Sequence, residues 1–261
     1  MTAAAERAAV TTTLGEHLAE RPFALALSSG FFGFYAHAGT VLALEEAGLL
    51  PARLSGSSAG ALVAAVWAAG VPARAMVEEL LALERAHFWD PAPGLGLLRG
   101  ELFRRRVEEL VSSARFDTCR VPIAMSAFDI AARRTVVLDS GDLASAVCAS
   151  CAFPGLLQPV RRDGRLLYDG GIADRPGLAG LAAQPAGELT LHHHLASRSP
   201  WRRPGSPSLA IPVRAATISL RIAGLPRVHP FRLAAGRAAL HAAHRATRRA
   251  LSAPVARLVD V

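Results

Sequence analysis

Short apolar runs alternate along the chain with longer stretches of helical spacing. Phe23 to Ser29 reads FALALSS, an unbroken apolar run that closes on Ser-Ser-Gly, which is the pattern of a buried strand entering a turn. Tyr35 to Gly48 places Val41, Leu42 and Leu44 ahead of Glu45 and Glu46 and stops at a glycine, which predicts a helix. Arg53 to Gly56 predicts a second short strand, and the small apolar stretch ending at Gly70 predicts a second helix. Strand, turn and helix, twice in the first 70 residues, predict a parallel sheet with covered faces.

Ala73 to Trp89 and Glu101 to Ala114 read as amphipathic helices. The second sets Phe103, Val107, Leu110 and Val111 at helical spacing, with Arg104, Arg105, Glu108 and Glu109 between them. The Pro/Gly stretch DPAPGLGLLRG, Asp90 to Gly100, is expected to be a loop bordering a site. Val121–Ile130 and Thr135–Leu138 predict a strand pair, and Asp142–Cys151 predicts a helix that ends before Pro154. Leu166–Tyr168 is a short strand that runs into Asp169-Gly170-Gly171. Glu188–Leu195 and Ala216–Leu220 are further strands, Ser197–Pro212 is an exposed excursion, and Phe231–Leu251 is a final helix.

Composition narrows the class. A chain of 261 residues, 51% hydrophobic and 19% charged, can bury one sizeable core and is not disordered. The net charge of +8 comes from arginine alone, because the sequence contains no lysine. A basic surface favours anionic partners, but no recognition motif supports nucleic acid, and 6% aromatic residues are few for base stacking. Cys148 and Cys151 form a C-x-x-C without a second pair or a nearby histidine, so packing is expected rather than zinc. Three cysteines imply no disulfide framework and fit a reducing compartment. Met1 to Glu20 lacks the apolar core of a signal peptide, and no stretch reaches the roughly 18 apolar residues of a spanning helix.

The candidate chemistry begins at Gly56-Ser57-Ser58-Ala59-Gly60. It is either a serine-capped helix start or a nucleophile elbow, G-x-S-x-G, centred on Ser58. An elbow needs an oxyanion hole and a base. Ser28-Ser29-Gly30-Phe31-Phe32-Gly33 lies between a strand and a helix, so its N–H groups face the same sheet edge as Ser58. It matches neither G-x-G-x-x-G nor a P-loop. Two routes to a base stay open. Asp169, at a strand's carboxyl end ahead of two glycines, takes the proton directly. Alternatively, His192, His193 or His194 completes a Ser–Asp–His triad. Those three histidines alternate along a strand and cannot all face one site, so a polar strand end is the plainer reading; His37 reads as structural.

These segments together resemble the patatin-like phospholipases, serine acyl hydrolases that use a Ser–Asp dyad. SSGFFGFYAHAG resembles the family's oxyanion segment, GSSAG its elbow and YDGG its Asp-Gly-Gly/Ala motif. ASCAFPGLLQPV, Ala149 to Val160, resembles the block that precedes the aspartate. The resemblance runs from Phe23 to about Leu195. It implies Ser58 as nucleophile, Asp169 as base, and backbone N–H groups of Ser29, Gly30 and Phe31 as the oxyanion hole. Gly33, Gly56, Gly60, Gly170 and Gly171 are the motif glycines. Ser28 replaces the first glycine of the family's turn, which raises the question of a positive φ there, and Phe31 and Phe32 replace a small residue and an arginine.

The expected fold is a three-layer α/β/α arrangement with a mainly parallel central sheet. The expected organisation is an N-terminal extension at 1–22, a catalytic domain at 23–195 and a C-terminal extension at 196–261. The expected activity is hydrolysis of fatty acyl esters of phospholipids or related lipids, without metal or organic cofactor. The rivals are a triad esterase and a lipid-binding protein that has lost turnover. The expected location is cytoplasmic, with peripheral contact at anionic membranes. The motivation for that contact is the last helix, where Arg237, His241, His244, Arg245, Arg248 and Arg249 share one side, opposite Leu233, Leu240, Leu251 and a run of alanines.

Overall fold

The apolar runs and helical stretches fold in the order in which they alternate. A computed structural model of the chain describes residues 12–112, 114–183, 185, 187–196 and 210–261. It opens with α1 (Leu14–Ala19), β1 (Phe23–Leu27), α2 (Phe34–Glu46), β2 (Arg53–Ser57), α3 (Ala59–Ala68) and α4 (Ala73–Leu81). There follow β3 (Gly96–Leu98), α5 (Glu101–Val111), β4 (Ile123–Asp129), β5 (Arg134–Leu138), α6 (Leu143–Ser150) and β6 (Gly155–Leu157). The chain closes with β7 (Val160–Arg162), β8 (Arg165–Asp169), β9 (Leu189–Leu195), β10 (Thr217–Ile222), α7 (Ala235–Leu251) and β11 (Leu258–Asp260).

Six strands run parallel in the order β11-β10-β9-β1-β2-β4. Beyond them the sheet turns antiparallel. β5 lies on one edge of β4, while β2 and β8 share the other, and β7 pairs with β8. β3 and β6 form a separate two-stranded ribbon. All five residues of β1 are buried, as a central parallel strand requires. Phe23, Leu25 and Leu27 join the main core with the helices; Ala24 and Ala26 meet Leu178 and Leu181 on the other face. That thinner layer is the segment carrying two 3₁₀ turns, Gly170–Ile172 and Ala179–Leu181. The arrangement is the expected α/β sheet between two covering layers. Every residue of α3 is buried, which explains its unbroken apolar sequence. No helix among the described residues is long and apolar enough to cross a membrane.

Three expectations need correction. The helix expected over Ala73–Trp89 stops at Leu81; a 3₁₀ turn at Arg85–His87 then redirects the chain, and Phe88 packs against Phe32 at 5.8 Å between ring centres. The loop expected over Asp90–Gly100 does border the site, but it contains β3, held by pairing with β6. The histidines of β9 are not a polar strand end: His192, His193 and His194 are all buried in the sheet interior. Residues 1–11 and 197–209, which hold half of the N-terminal extension and most of the Ser197–Pro212 excursion, lie outside the described residues.

Candidate active site

Strand pairing brings the two ends of the site together. β2 runs parallel to β4 and ends with Ser57 opposite Ser126; β8 runs antiparallel to it and ends with Asp169 opposite Ala127. Ser126 and Ala127 are consecutive, so the two strands meet tip to tip along one edge of β4. The next residue after β2 therefore stands beside Asp169, and Ser58 Oγ donates to Asp169 Oδ2 at 2.7 Å.

Ser58 carries the elbow's backbone strain, with φ 53° and ψ −121° immediately before α3. For a residue with a side chain this region costs on the order of 1–3 kcal/mol, so the surroundings must hold it. The motif glycines serve close approach rather than φ, since none of the five has a positive value. A Cβ on Gly60 would strike the Leu27 carbonyl, and one on Gly56 would lie 2.6 Å from the Ala61 nitrogen, so α3 could not sit this near the sheet. Gly33 is packed in the same way against Leu195, Gly170 against Ser126, and Gly171 against Ser29 and Asp169. The neighbouring Ser57 is fully buried, and its Oγ has no hydrogen-bond partner among the described residues.

Asp169 is 3% exposed, and burial pushes its carboxyl up to about 6. The hydrogen bonds from Ser58 Oγ and from the Gly171 N–H, the latter 2.7 Å to Oδ1, pull in the opposite direction. The carboxyl therefore ionises near 6 and is a carboxylate at neutral pH, a state that can accept a proton.

The glycine-rich turn differs from expectation in one donor. Ser29 N–H donates to the Arg175 carbonyl at 2.8 Å, so it is not available to an oxyanion. The N–H groups of Gly30 and Phe31 donate to nothing among the described residues, nor does that of Ala59 at the start of α3. Ser28 in place of glycine is unstrained, because the positive φ of this turn falls on Phe32 at 54°. Its hydroxyl has a task of its own, accepting the Leu195 N–H at 2.9 Å. The strain expected from Ser28 is therefore absent.

None of the three β9 histidines forms a hydrogen bond to Ser58 or Asp169 among the described residues. His193 faces α2, where its Nδ1 lies 2.9 Å from His37 Nδ1. His192 faces the other side, bonded to Ser219 Oγ and the Pro176 carbonyl. Burial holds all four neutral: His37 and His194 are pushed down to about 4, His192 to about 3, and His193 well below its usual value. His37 also donates to or accepts from its neighbours only, with Nε2 on the Ser28 carbonyl at 2.8 Å, which fits its structural reading.

A cavity of about 930 Å³ opens onto Ser58 and Asp169. Phe32, Phe34, Leu62, Leu80, Phe103, Val107 and Leu110 are among its apolar walls, and Phe153 to Leu157 close another side. Phe31 stands 49% exposed in its lining and packs against Phe153 at 5.3 Å. Sequence reading missed Cys151, which lines the cavity and donates to the Ser58 carbonyl at 3.2 Å, and also Arg175 and Arg106. Their one sequence signal was proximity to the Ala149–Val160 and Asp169 motifs or to the amphipathic face of α5. Cys148, the other half of the C-x-x-C, is buried packing, and no group among the described residues has the ligands to hold a metal ion.

The basic face of α7 is exposed as expected at Arg237, His241, Arg245, Arg248 and Arg249, whereas His244 bonds Glu46 at 2.7 Å. That face does not lie beside the Ser58 mouth. Gly236 packs on Tyr35, at the cavity end of α2, and Leu251 packs on Gly15 of α1, which precedes β1. Arg245, Arg248 and Arg249 therefore gather at the end of the sheet opposite Ser58, roughly 20 Å along the helix.

A family profile described as patatin-like phospholipase matches residues 25–181. The chain belongs to the patatin-like phospholipase family. It is 35% identical over 175 residues to an uncharacterized NTE family protein of Mycobacterium tuberculosis, a match covering 64% of this chain and 47% of that one. It is 27% identical over 168 residues to the lysophospholipase nte1 of Emericella nidulans, covering 62% of this chain and 11% of the other. The chain thus spans about half the length or less of these curated relatives. Among solved structures, VipD from Legionella pneumophila superposes with a TM-score of 0.60 at 14% identity, over 88% of this chain and 66% of that one, which extends the patatin-like likeness to the fold.

Proposed function

We propose that the chain is a serine lipid acyl hydrolase that cleaves fatty acyl esters through Ser58 and Asp169. The observation that carries this reading is the 2.7 Å hydrogen bond from Ser58 Oγ to a buried carboxylate at the mouth of an apolar cavity. At about 930 Å³ that cavity lies near the upper end of the roughly 300–1,000 Å³ range of ligand pockets. Its walls suit an acyl chain.

In the reaction, Ser58 Oγ attacks the acyl carbonyl carbon and its proton passes to Asp169. The N–H groups of Gly30, Phe31 and Ala59 are the donors for the oxyanion. Collapse of the tetrahedral intermediate breaks the ester bond, and Asp169 returns the proton to the leaving oxygen. A water then attacks the acyl-serine, gives its proton to Asp169, and the fatty acid leaves as that proton returns to Ser58.

The test is labelling with an activated phosphonate, followed by turnover of a p-nitrophenyl ester and then a lipid panel. One phosphonate per chain, attached at Ser58 and absent from Ser58→Ala, supports the reading; an unlabelled chain that turns over no ester overturns it. Peripheral contact with anionic membranes is a separate proposal resting on the arginines of α7. It predicts sedimentation with anionic vesicles that weakens as salt shortens the screening length to about 3 Å at 1 M. Equal binding to neutral vesicles, or binding unchanged in an Arg245→Gln, Arg248→Gln, Arg249→Gln triple variant, overturns that proposal.

A further inference from the structure

We propose that Ser150 and Cys151, at the end of α6, are positioning residues that clamp the backbone of Ser58 and, with Ala152, set its placement against Asp169. The inference rests on the Ser58–Asp169 reading and adds to it the device that holds the pair.

Ser58 sits between two elements and belongs to the hydrogen-bond pattern of neither on its N–H side. β2 ends one residue earlier, and α3 begins one residue later. An N–H stranded there would be a buried orphan, held in a backbone conformation that nothing local favours. Ser150 Oγ, fully buried, accepts that N–H at 2.9 Å. The next side chain takes the other side of the residue: Cys151 Sγ donates to the Ser58 carbonyl at 3.2 Å, alongside the Leu62 N–H at 3.1 Å. The residue after that holds the base, since the Ala152 carbonyl accepts the Asp169 N–H at 3.0 Å.

Three consecutive residues therefore grip both members of the pair. The grip is rigid because Leu143, Ala144, Ala146, Val147 and Ala149 of α6 are fully buried in the core. Burial and the nearby Asp169 hold the Cys151 thiol well above its usual range, which keeps it protonated and able to donate.

The test uses the full chain and reads kcat, KM and the pH midpoint of kcat/KM for Ser150→Ala, Cys151→Ala and Cys151→Ser. Ser150→Ala should lower kcat about tenfold to a hundredfold with KM within about twofold, because the orphaned N–H releases Ser58 from its position. Its pH midpoint should rise above that of the unaltered chain, because the Ser58 hydrogen bond is one of the interactions that holds the Asp169 carboxyl down. Cys151→Ala should lower kcat several-fold, and Cys151→Ser, which keeps a donor, should restore it. A general loss of packing would not move the midpoint or distinguish serine from alanine at 151. Unchanged kcat and midpoint in folded Ser150→Ala and Cys151→Ala, or a loss carried by KM, overturns the clamp. If Ser150→Ala does not fold, the alanine–serine contrast at 151 decides alone. Failure of the unaltered chain to take phosphonate at Ser58 overturns the dyad reading instead.

Discussion

The cavity mouth and the interior of β9 both bury ionisable groups on one sheet, but with different surroundings. Asp169 has covalent neighbours and hydrogen-bond donors on one side and the cavity on the other. His37 and His193 are enclosed by each other and by α2, and His192 by Ser219 and the Pro176 carbonyl; none of these lines the cavity. Burial shifts both sets toward the neutral form. For a carboxylic acid the neutral form is the protonated one, and for an imidazole it is the unprotonated one, so the two regions respond to pH in opposite directions. Burial alone does not single out a candidate base; burial beside an open cavity, with a serine hydroxyl in reach, does.

The largest expected effect separates the two regions outright. Ser58→Ala should remove turnover by at least about a thousandfold and abolish phosphonate labelling, with melting unchanged. Asp169→Asn should follow closely, since an amide keeps the shape but accepts no proton. His192→Ala, His193→Ala and His194→Ala should instead lower the melting temperature and leave the kcat of the folded protein intact. Loss of turnover in a histidine variant with unchanged melting breaks the comparison and moves the base to that histidine.

A pH profile sharpens it. Because Asp169 must be ionised to take the proton, kcat/KM should rise about tenfold per pH unit below a midpoint near 6 and level off above it. A flat profile from pH 5 to 8 would exclude Asp169 as the base.

Stability should show the two opposing signs. The folded-state carboxyl of Asp169 is raised from 3.8 to about 6, so the folded chain binds the extra proton between those values. Its burial then destabilises the fold above pH 6, by on the order of 3 kcal/mol, and that penalty fades as pH falls toward 4. The histidines are lowered from 6.5, so the unfolded chain binds their protons first. Their contribution is full above about pH 6.5 and is lost as pH falls toward 4. Asp169→Asn should therefore raise stability at pH 7 and make the loss on acidification steeper, measured by urea unfolding at pH 7, 6 and 5. An identical pH dependence in the variant and the unaltered chain would contradict the raised carboxyl.

The smallest effect belongs to Ser57. Its hydroxyl is buried without a partner among the described residues, so Ser57→Ala should keep most activity and change stability by less than about 1 kcal/mol, in the stabilising direction. Loss of turnover in this variant, with Ser58→Ala still active, would reverse the assignment of the elbow.

Much of this was legible in the residues. The apolar run of β1 and the glycine-bracketed turns after β1 and β2 pointed to a parallel sheet with its loops at one end, because a central strand buried on both faces favours apolar residues and a close helix approach excludes a Cβ. Ser58 and Asp169 stood out as candidates by their place at strand ends, and the family resemblance singled them out from the alternatives. Three things depended on contacts across the chain. Whether Asp169 or a β9 histidine stands beside Ser58 depended on which strand shares an edge of β4 with β2, and register between distant strands leaves no local trace. The Ser29 N–H was spent on Arg175, a residue 146 positions later in the sequence. The basic face of α7 was visible as a helical stripe, but its distance from Ser58 came from packing on α2 and α1. Spacing along a chain dictates which face a side chain takes; only the assembled sheet dictates what that face meets.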